Sequence, residues 1–242
     1  PNLVFLDEER FILVLERVTI GSTVWKTDLL AGVINPDIAT QLGNTLRIWH
    51  DYGRANLRNL ELFAEDELFE QLRIDPFYRF VAAKNNAISG QINDLISDLQ
   101  TNKTSIVHGD FSPKNFMVTP TNQIYVLDFE VTHIGNPVFD LAFVLAHLLC
   151  KHIHAPDKVA AKLIKACADN FLSAYSIENL PPKIATEMKK LALHVALIAL
   201  ARVEGKSPVN YLDLTQQKNI VELTKSALNS KEVMHPLELF QR

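Results

Sequence analysis

Between Ser105 and Asp140 three short apolar runs alternate with polar residues at spacings that leave the backbone few options. Ser105-Ile106-Val107 leads into His108-Gly109-Asp110. Asn115 opens Phe116-Met117-Val118, and Ile124-Tyr125-Val126-Leu127 runs into Asp128. Runs this short suit strands better than helices, which need roughly 10 residues or more. The turn formers Pro120-Thr121-Asn122 lie between the second and third runs and predict a β-hairpin there. A further hairpin is predicted at the start of the chain, where Leu3-Val4-Phe5 and Phe11 to Leu15 flank the acidic turn Asp7-Glu8-Glu9.

The remainder reads as helix. Ile38, Leu42, Leu46 and Trp49 recur at helical spacing over 36–52, with Asn35 as the cap and Pro36 in the first turn. Residues 54–80 predict short helices and loops. A helix over 77–99 carries Ile88, Ile92, Leu95, Ile96 and Leu99 on one face. Four more are predicted over 139–151, 156–175, 182–203 and 215–229, punctuated by Pro181-Pro182 and by Gly205 to Pro208. The order of hairpin, helices, hairpins and helices predicts an α+β fold and not a regular βαβ alternation.

Composition narrows the possible functions. The 242 residues are 48% hydrophobic and 21% charged, enough apolar material for a sizeable core. A formal net charge of −4 with no basic stripe gives no reason to expect nucleic acid as a partner. The mild acidity permits a cationic substrate without requiring one. Leu141 to Cys150 and Leu191 to Ala201 are the longest apolar stretches, and His147 and His194 interrupt them. Spanning a bilayer takes about 20 apolar residues, so no membrane partner is expected. Cys150 and Cys167 sit in apolar helical patterns and read as core residues. The lack of a disulfide framework or zinc spacing points to a reducing, cytoplasmic location.

The hairpin spacing also predicts chemistry. Asn115 lies five residues beyond Asp110, and the antiparallel return strand brings Asp128 back beside Asn115. Two carboxylates and a carboxamide then converge at one end of a small sheet. Mg²⁺ takes oxygen ligands, usually one or two carboxylates plus phosphate oxygens. Asn115 and Asp128 are the candidate metal ligands. Asp110 is the candidate catalytic base, left to accept a hydroxyl proton and aim its oxygen at phosphorus.

The same residues carry a family resemblance. His108-Gly109-Asp110-Phe111-Ser112-Pro113-Lys114-Asn115 resembles the catalytic loop of the aminoglycoside-phosphotransferase and choline-kinase family. Leu127-Asp128-Phe129-Glu130 resembles that family's metal-binding segment, and Gly135-Asn136-Pro137 with Asp140-Leu141-Ala142 resembles its next motif. Leu42-Gly43 with Trp49-His50 resembles the helix after the hinge, and Arg202 to Pro208 a late segment common in bacterial members.

The resemblance implies a protein-kinase-like fold in which residues 1–18 end an N-terminal lobe and form the hinge. Residues 19–242 then make a mostly helical C-terminal lobe with catalytic β-hairpins. It implies ATP and Mg²⁺ as cofactors and a small-molecule hydroxyl acceptor. Adenine would bind main-chain groups at the hinge, the Glu16 carbonyl and the Val18 amide, and Asp140 would brace the catalytic loop. Gly109 stands where protein kinases usually carry arginine, and only eleven residues separate Asp128 from Asp140. Both features favour a small acceptor over a phosphorylatable activation loop.

The resemblance further implies an upstream phosphate-covering loop, a strand lysine and a helix glutamate. Residues 1–15 are too few to hold them, and the chain opens on Pro1. The expectation is a chain that starts late in the N-terminal lobe and holds metal and nucleotide poorly as it stands. The alternative is a non-catalytic kinase-like binding module, if the natural protein also lacks that lobe.

Other features have plainer readings. His108 is expected to brace its loop, Lys114 to be an exposed loop lysine, and Glu130 is a candidate for the metal's outer shell. Gly205-Lys206-Ser207 is no P-loop, because Leu200 stands where glycine is required. His147, His152 and His154 read as core or surface histidines. Glu178, Glu187, Glu222, Glu232 and Glu238 read as solvated helix faces in preference to the lining of a cationic-substrate pocket.

Overall fold

The computed structural model describes residues 1–230 and 234–241. The chain opens with the antiparallel hairpin β1 (Leu3–Asp7) and β2 (Ile12–Leu15), whose apolar side chains are largely exposed, Phe5 by 53% and Leu13 by 59%. A two-residue strand β3 (Thr23–Val24) leads into α1 (Trp25–Leu30). The long helix α2 (Pro36–Asn56) follows, capped by Asn35, whose side-chain oxygen accepts from the Asp37 amide at 3.0 Å.

The stretch predicted as one helix over 77–99 is broken. After α3 (Glu67–Phe69), residues Glu70–Arg79 form a π-helical segment containing Pro76, which has no amide hydrogen to continue an α-helical ladder. α4 (Phe80–Lys84) stops at Asn85. There the Asn85 side-chain amide donates to the Val81 carbonyl at 3.0 Å, taking the acceptor that a continuing helix would use. α5 (Ser89–Thr101) then resumes.

Three strand pairings follow. β4 (Ser105–Val107) pairs antiparallel with β7 (His133–Gly135), while β5 (Phe116–Val118) and β6 (Ile124–Val126) form the predicted hairpin. β3 adds to the outer side of β5, giving a three-stranded sheet ordered β3-β5-β6.

The helical part comprises α6 (Val138–His154), α7 (Lys158–Tyr175), α8 (Pro182–Met188), α9 (Leu191–Glu204) and α10 (Leu214–Asn229). The helix predicted over 182–203 divides at Lys189-Lys190. α9 is buried from Val195 to Ala201 without interruption, so its direction follows packing against α6 and not the axis of the short α8. α2 lies along α7, and α9 lies between α6 and α10. Cys150 and Cys167 are unbonded and buried in this core, and burial pushes their thiols up to about 11 and about 12. Among the described residues no helix is long and apolar enough to cross a membrane.

Candidate functional site

The loop between β4 and β5 is shaped by one buried carboxylate. Asp140, in the first turn of α6 and fully buried, accepts from the His108 amide at 2.7 Å and the Gly109 amide at 2.9 Å. Its Oδ2 also lies 3.2 Å from His50 Nε2 on α2. A carboxylate only accepts, so Nε2 carries the His50 proton, and Nδ1 takes the Tyr175 hydroxyl hydrogen at 2.8 Å. Burial is the largest influence on His50 and pulls it below the usual histidine range, keeping it neutral. Burial alone would raise Asp140, but the hydrogen bonds it accepts from the His50 side chain and the His108 amide hold it below the usual carboxylate range.

Gly109 takes a left-handed φ of +73°, and a Cβ there would fall 2.6 Å from the Val131 carbonyl oxygen. Any side chain at this position is both strained and too close, which explains glycine where protein kinases carry arginine. His108 stacks on Trp49 with ring centroids 6.0 Å apart. Its Nε2 donates to the Leu127 carbonyl at 3.1 Å, and its Nδ1 accepts from the Asp110 amide at 3.2 Å. Both ring nitrogens of His108 are therefore occupied in holding the loop.

Asp110, Asn115 and Asp128 come together through the main chain. The Asn115 side-chain amide donates to the Asp110 carbonyl at 2.9 Å. The Leu127 amide donates to the Asn115 carbonyl at 2.9 Å, extending the β5–β6 ladder by one pair and setting Asp128 just beyond it. With its NH₂ engaged, Asn115 keeps its side-chain oxygen for a ligand. Asp128 adopts φ of 69°, is exposed, and makes no hydrogen bond or ion pair among the described residues. An uncommitted carboxylate one residue past the strand pair that ends at Asn115, together with the free amide oxygen of Asn115, offers only oxygen donors, the type that Mg²⁺ takes. Glu130 is also exposed and unpaired among the described residues.

The Asp110 carboxylate is 2% exposed and asymmetrically used. Oδ2 is 3.0 Å from Arg73 Nη2 and 2.7 Å from Lys114 Nζ. Among the described residues Oδ1 has only the Ser112 hydroxyl, at 3.5 Å, which leaves it for an incoming proton. Arg73 projects from the π-helical segment and also donates to the Gly109 and Leu72 carbonyls at 2.7 and 2.8 Å. It reaches the loop from a region that the sequence marked only as mixed helix and loop, with no pattern to single it out. Lys114 is half exposed, as expected of a loop lysine, yet its amine sits on Asp110.

Asp110 opens onto a cavity of about 460 Å³ between the π-helical segment, α1, α6 and the end of α9. Phe77, Phe143 and Val209 form apolar parts of its wall, and the polar groups away from the loop include Lys26, Arg73, His147, Arg202 and Tyr211. His147 is buried in α6, as its apolar face predicts, and also lines this cavity. Of the glutamates weighed for a cationic pocket, none of the four described ones, Glu178, Glu187, Glu222 and Glu238, lines it. Glu178, Glu222 and Glu238 are exposed, whereas Glu187 is buried and accepts from the Thr104 hydroxyl at 3.2 Å. Glu232 lies outside the described residues. Among those residues no group of three or more His, Cys, Asp or Glu could hold a metal, so His147, His152 and His154 form no centre.

Glu16 and Val18 occupy a separate segment after β2. The Glu16 amide donates to the Asn2 carbonyl at 2.8 Å, while the Glu16 carbonyl and the Val18 amide form no hydrogen bond among the described residues. Between Asp128 and α6 the chain has room for one turn and the three residues of β7.

Comparison with known proteins adds three findings. The sequence profile of the phosphotransferase enzyme family (APH) matches residues 7–181. Aurora kinase B of Drosophila melanogaster is 31% identical over 81 residues, which are 34% of this chain and 24% of that protein. The chain thus spans about a quarter of the length of this curated relative. The solved choline kinase LicA of Streptococcus pneumoniae aligns over 93% of this chain and 74% of its own, at 18% identity and a TM-score of 0.45. With a profile match over residues 7–181, well over half of the chain and including the His108 to Asn115 motif, the chain belongs to the phosphotransferase enzyme family and has its α+β, protein-kinase-like fold.

Proposed function

We propose that the full-length protein is an ATP- and Mg²⁺-dependent kinase that phosphorylates a hydroxyl of a small molecule. The observation that supports this reading is a pair of 2.9 Å hydrogen bonds, one from the Asn115 side-chain amide to the Asp110 carbonyl and one to the Asn115 carbonyl from the amide of Leu127, the residue before Asp128. Asn115 Oδ1 and the Asp128 carboxylate would hold Mg²⁺, with the phosphate oxygens completing its shell. The metal would supply neutralisation of the charge on the β- and γ-phosphates.

Asp110 Oδ1 accepts the proton of the acceptor hydroxyl as that oxygen bonds to the γ-phosphorus. The bond from phosphorus to the β-phosphate oxygen breaks, and the electron pair leaves with ADP. Arg73 and Lys114 hold Oδ2 of the carboxylate and leave Oδ1 for the proton. The Glu16 carbonyl and Val18 amide, unpaired among the described residues, suit an adenine edge. The family membership and the short segment between Asp128 and α6 support a small acceptor.

The test is transfer of labelled γ-phosphate from ATP to a panel of small hydroxylated compounds by the full-length protein. Magnesium-dependent labelling of at least one compound is expected. No labelling of any, with nucleotide still bound, would favour a non-catalytic kinase-like binding module.

A further inference from the structure

The cavity beside Asp110 has the opposite charge from the protein. The whole chain carries a formal −4, yet the lining holds four cations, Lys26, Arg73, Lys114 and Arg202, against the single carboxylate of Asp110. Arg73 and Lys114 already share that carboxylate. Arg202 has no carboxylate partner among the described residues. Its guanidinium carbon lies 5.5 Å over the Phe77 ring, and its buried Nε has no hydrogen-bond partner. Lys26, on α1, forms no hydrogen bond or ion pair among the described residues, though it lines the cavity.

Two more groups add to the imbalance. The Tyr211 hydroxyl, on the same wall, is buried without a partner. Against the Tyr211 ring, at 5.4 Å, lies the amine of Lys151, a residue 1% exposed, whose one hydrogen-bond partner among the described residues is the His147 carbonyl at 3.3 Å. Burial draws Lys151 down to about 7, and His147 is pulled well below its usual range by burial and then by the charges of Lys151, Arg202, Lys114 and Lys26. Buried cations and a buried hydroxyl left unpaired are unfavourable in a folded chain unless something else satisfies them.

We infer that the acceptor is a small hydroxylated anion, whose carboxylate or phosphate group sits on Arg202 near Tyr211 while its hydroxyl reaches Asp110. This rests on the phosphotransfer reading above and names its substrate class. A cationic acceptor would meet uncompensated repulsion from Arg202 and Lys26 and would find one carboxylate, already doubly paired. The cavity of about 460 Å³ accommodates a chain of about six carbons.

The test is calorimetric titration of the full-length protein, without nucleotide, against matched six-carbon probes. These are D-gluconate, D-glucitol 6-phosphate, neutral D-glucitol and cationic D-glucamine. One or both anions are expected to bind at least tenfold more tightly than the neutral and cationic probes, and the stronger identifies carboxylate or phosphate as the group recognised. R202Q is expected to lose about tenfold or more of that anion affinity. R202K should recover part of it, with ADP affinity unchanged and no fall in the thermal midpoint in either variant. Equal binding of all four probes, tighter binding of D-glucamine, or unchanged anion affinity in R202Q would overturn the inference. Anion binding with no phosphate transfer to any probe would leave the anion site standing and count against the kinase reading. Transfer to D-glucamine or D-glucitol in preference to the anions would do the reverse.

Discussion

D110N is expected to lower phosphate transfer by on the order of 10³- to 10⁴-fold while leaving Mg²⁺·ADP affinity within about twofold of wild type. The substitution removes the free carboxylate oxygen that takes the hydroxyl proton and puts nothing basic in its place. The surrounding loop has reasons to survive it. Arg73 keeps the Gly109 and Leu72 carbonyls at 2.7 and 2.8 Å. Asn115 bonds the Asp110 main-chain carbonyl, which the substitution does not alter. Initial rates at saturating ATP, set beside equilibrium binding of Mg²⁺·ADP, separate the two quantities. Activity within tenfold of wild type would remove Asp110 from the role of base.

D140A is expected to destabilise the protein by roughly 3–5 kcal/mol, the range for removing one member of a buried charged network. Its carboxylate is the shared acceptor for the His108 and Gly109 amides and for His50 Nε2, all buried. Alanine leaves these three donors without a partner, in a place where water is excluded. The loss is not confined to stability, because Gly109 and His108 begin the loop that aims Asp110. Urea unfolding measures the first effect, and the rate of the surviving folded fraction measures the second. A loss below about 1 kcal/mol would mean that the network at Asp140 does not hold the loop. The neutral state of His50 adds a pH signature. Its folded pKa is depressed, so its contribution to stability is fully present above about 6.5, the unfolded value, and is lost progressively as the pH falls from there through the lower folded value.

How much of this was legible in the sequence differs by element. The β5–β6 hairpin was legible because two apolar runs flank a turn of Pro120, Thr121 and Asn122, and side-chain alternation plus turn chemistry suffices for so local a pairing. The Asn35 cap was legible for the same reason, since capping depends on neighbours one or two residues away. β3 and β7 were not. Thr23–Val24 is two residues long, and His133–Gly135 contains no apolar period, so each becomes a strand only through its distant partner. The break at Asn85 turned on one side-chain hydrogen bond to Val81, and that between α8 and α9 on core packing. Neither leaves a mark in hydrophobic periodicity.

The candidate site divides along the same line. Asp110, Asn115 and Asp128 are visible as a set because they sit on one hairpin and its leading loop, within nineteen positions of one another. The cationic side of the cavity is assembled from Lys26, Arg73, Arg202 and Tyr211, which span most of the chain. Their meeting depends on how α1, the π-helical segment and α9 pack. Charge arithmetic over the whole chain pointed the other way, toward tolerance of a cationic substrate. The net charge of −4 averages over a surface on which the acids lie elsewhere.

The division of labour between Asp110 as base and Asn115 with Asp128 as metal ligands is open to one direct measurement. Electron paramagnetic resonance titration of Mn²⁺ into the full-length protein with ADP should give wild-type affinity for D110N and a loss of about tenfold or more for D128N. Wild-type Mn²⁺·ADP affinity in D128N would contradict the account at its centre.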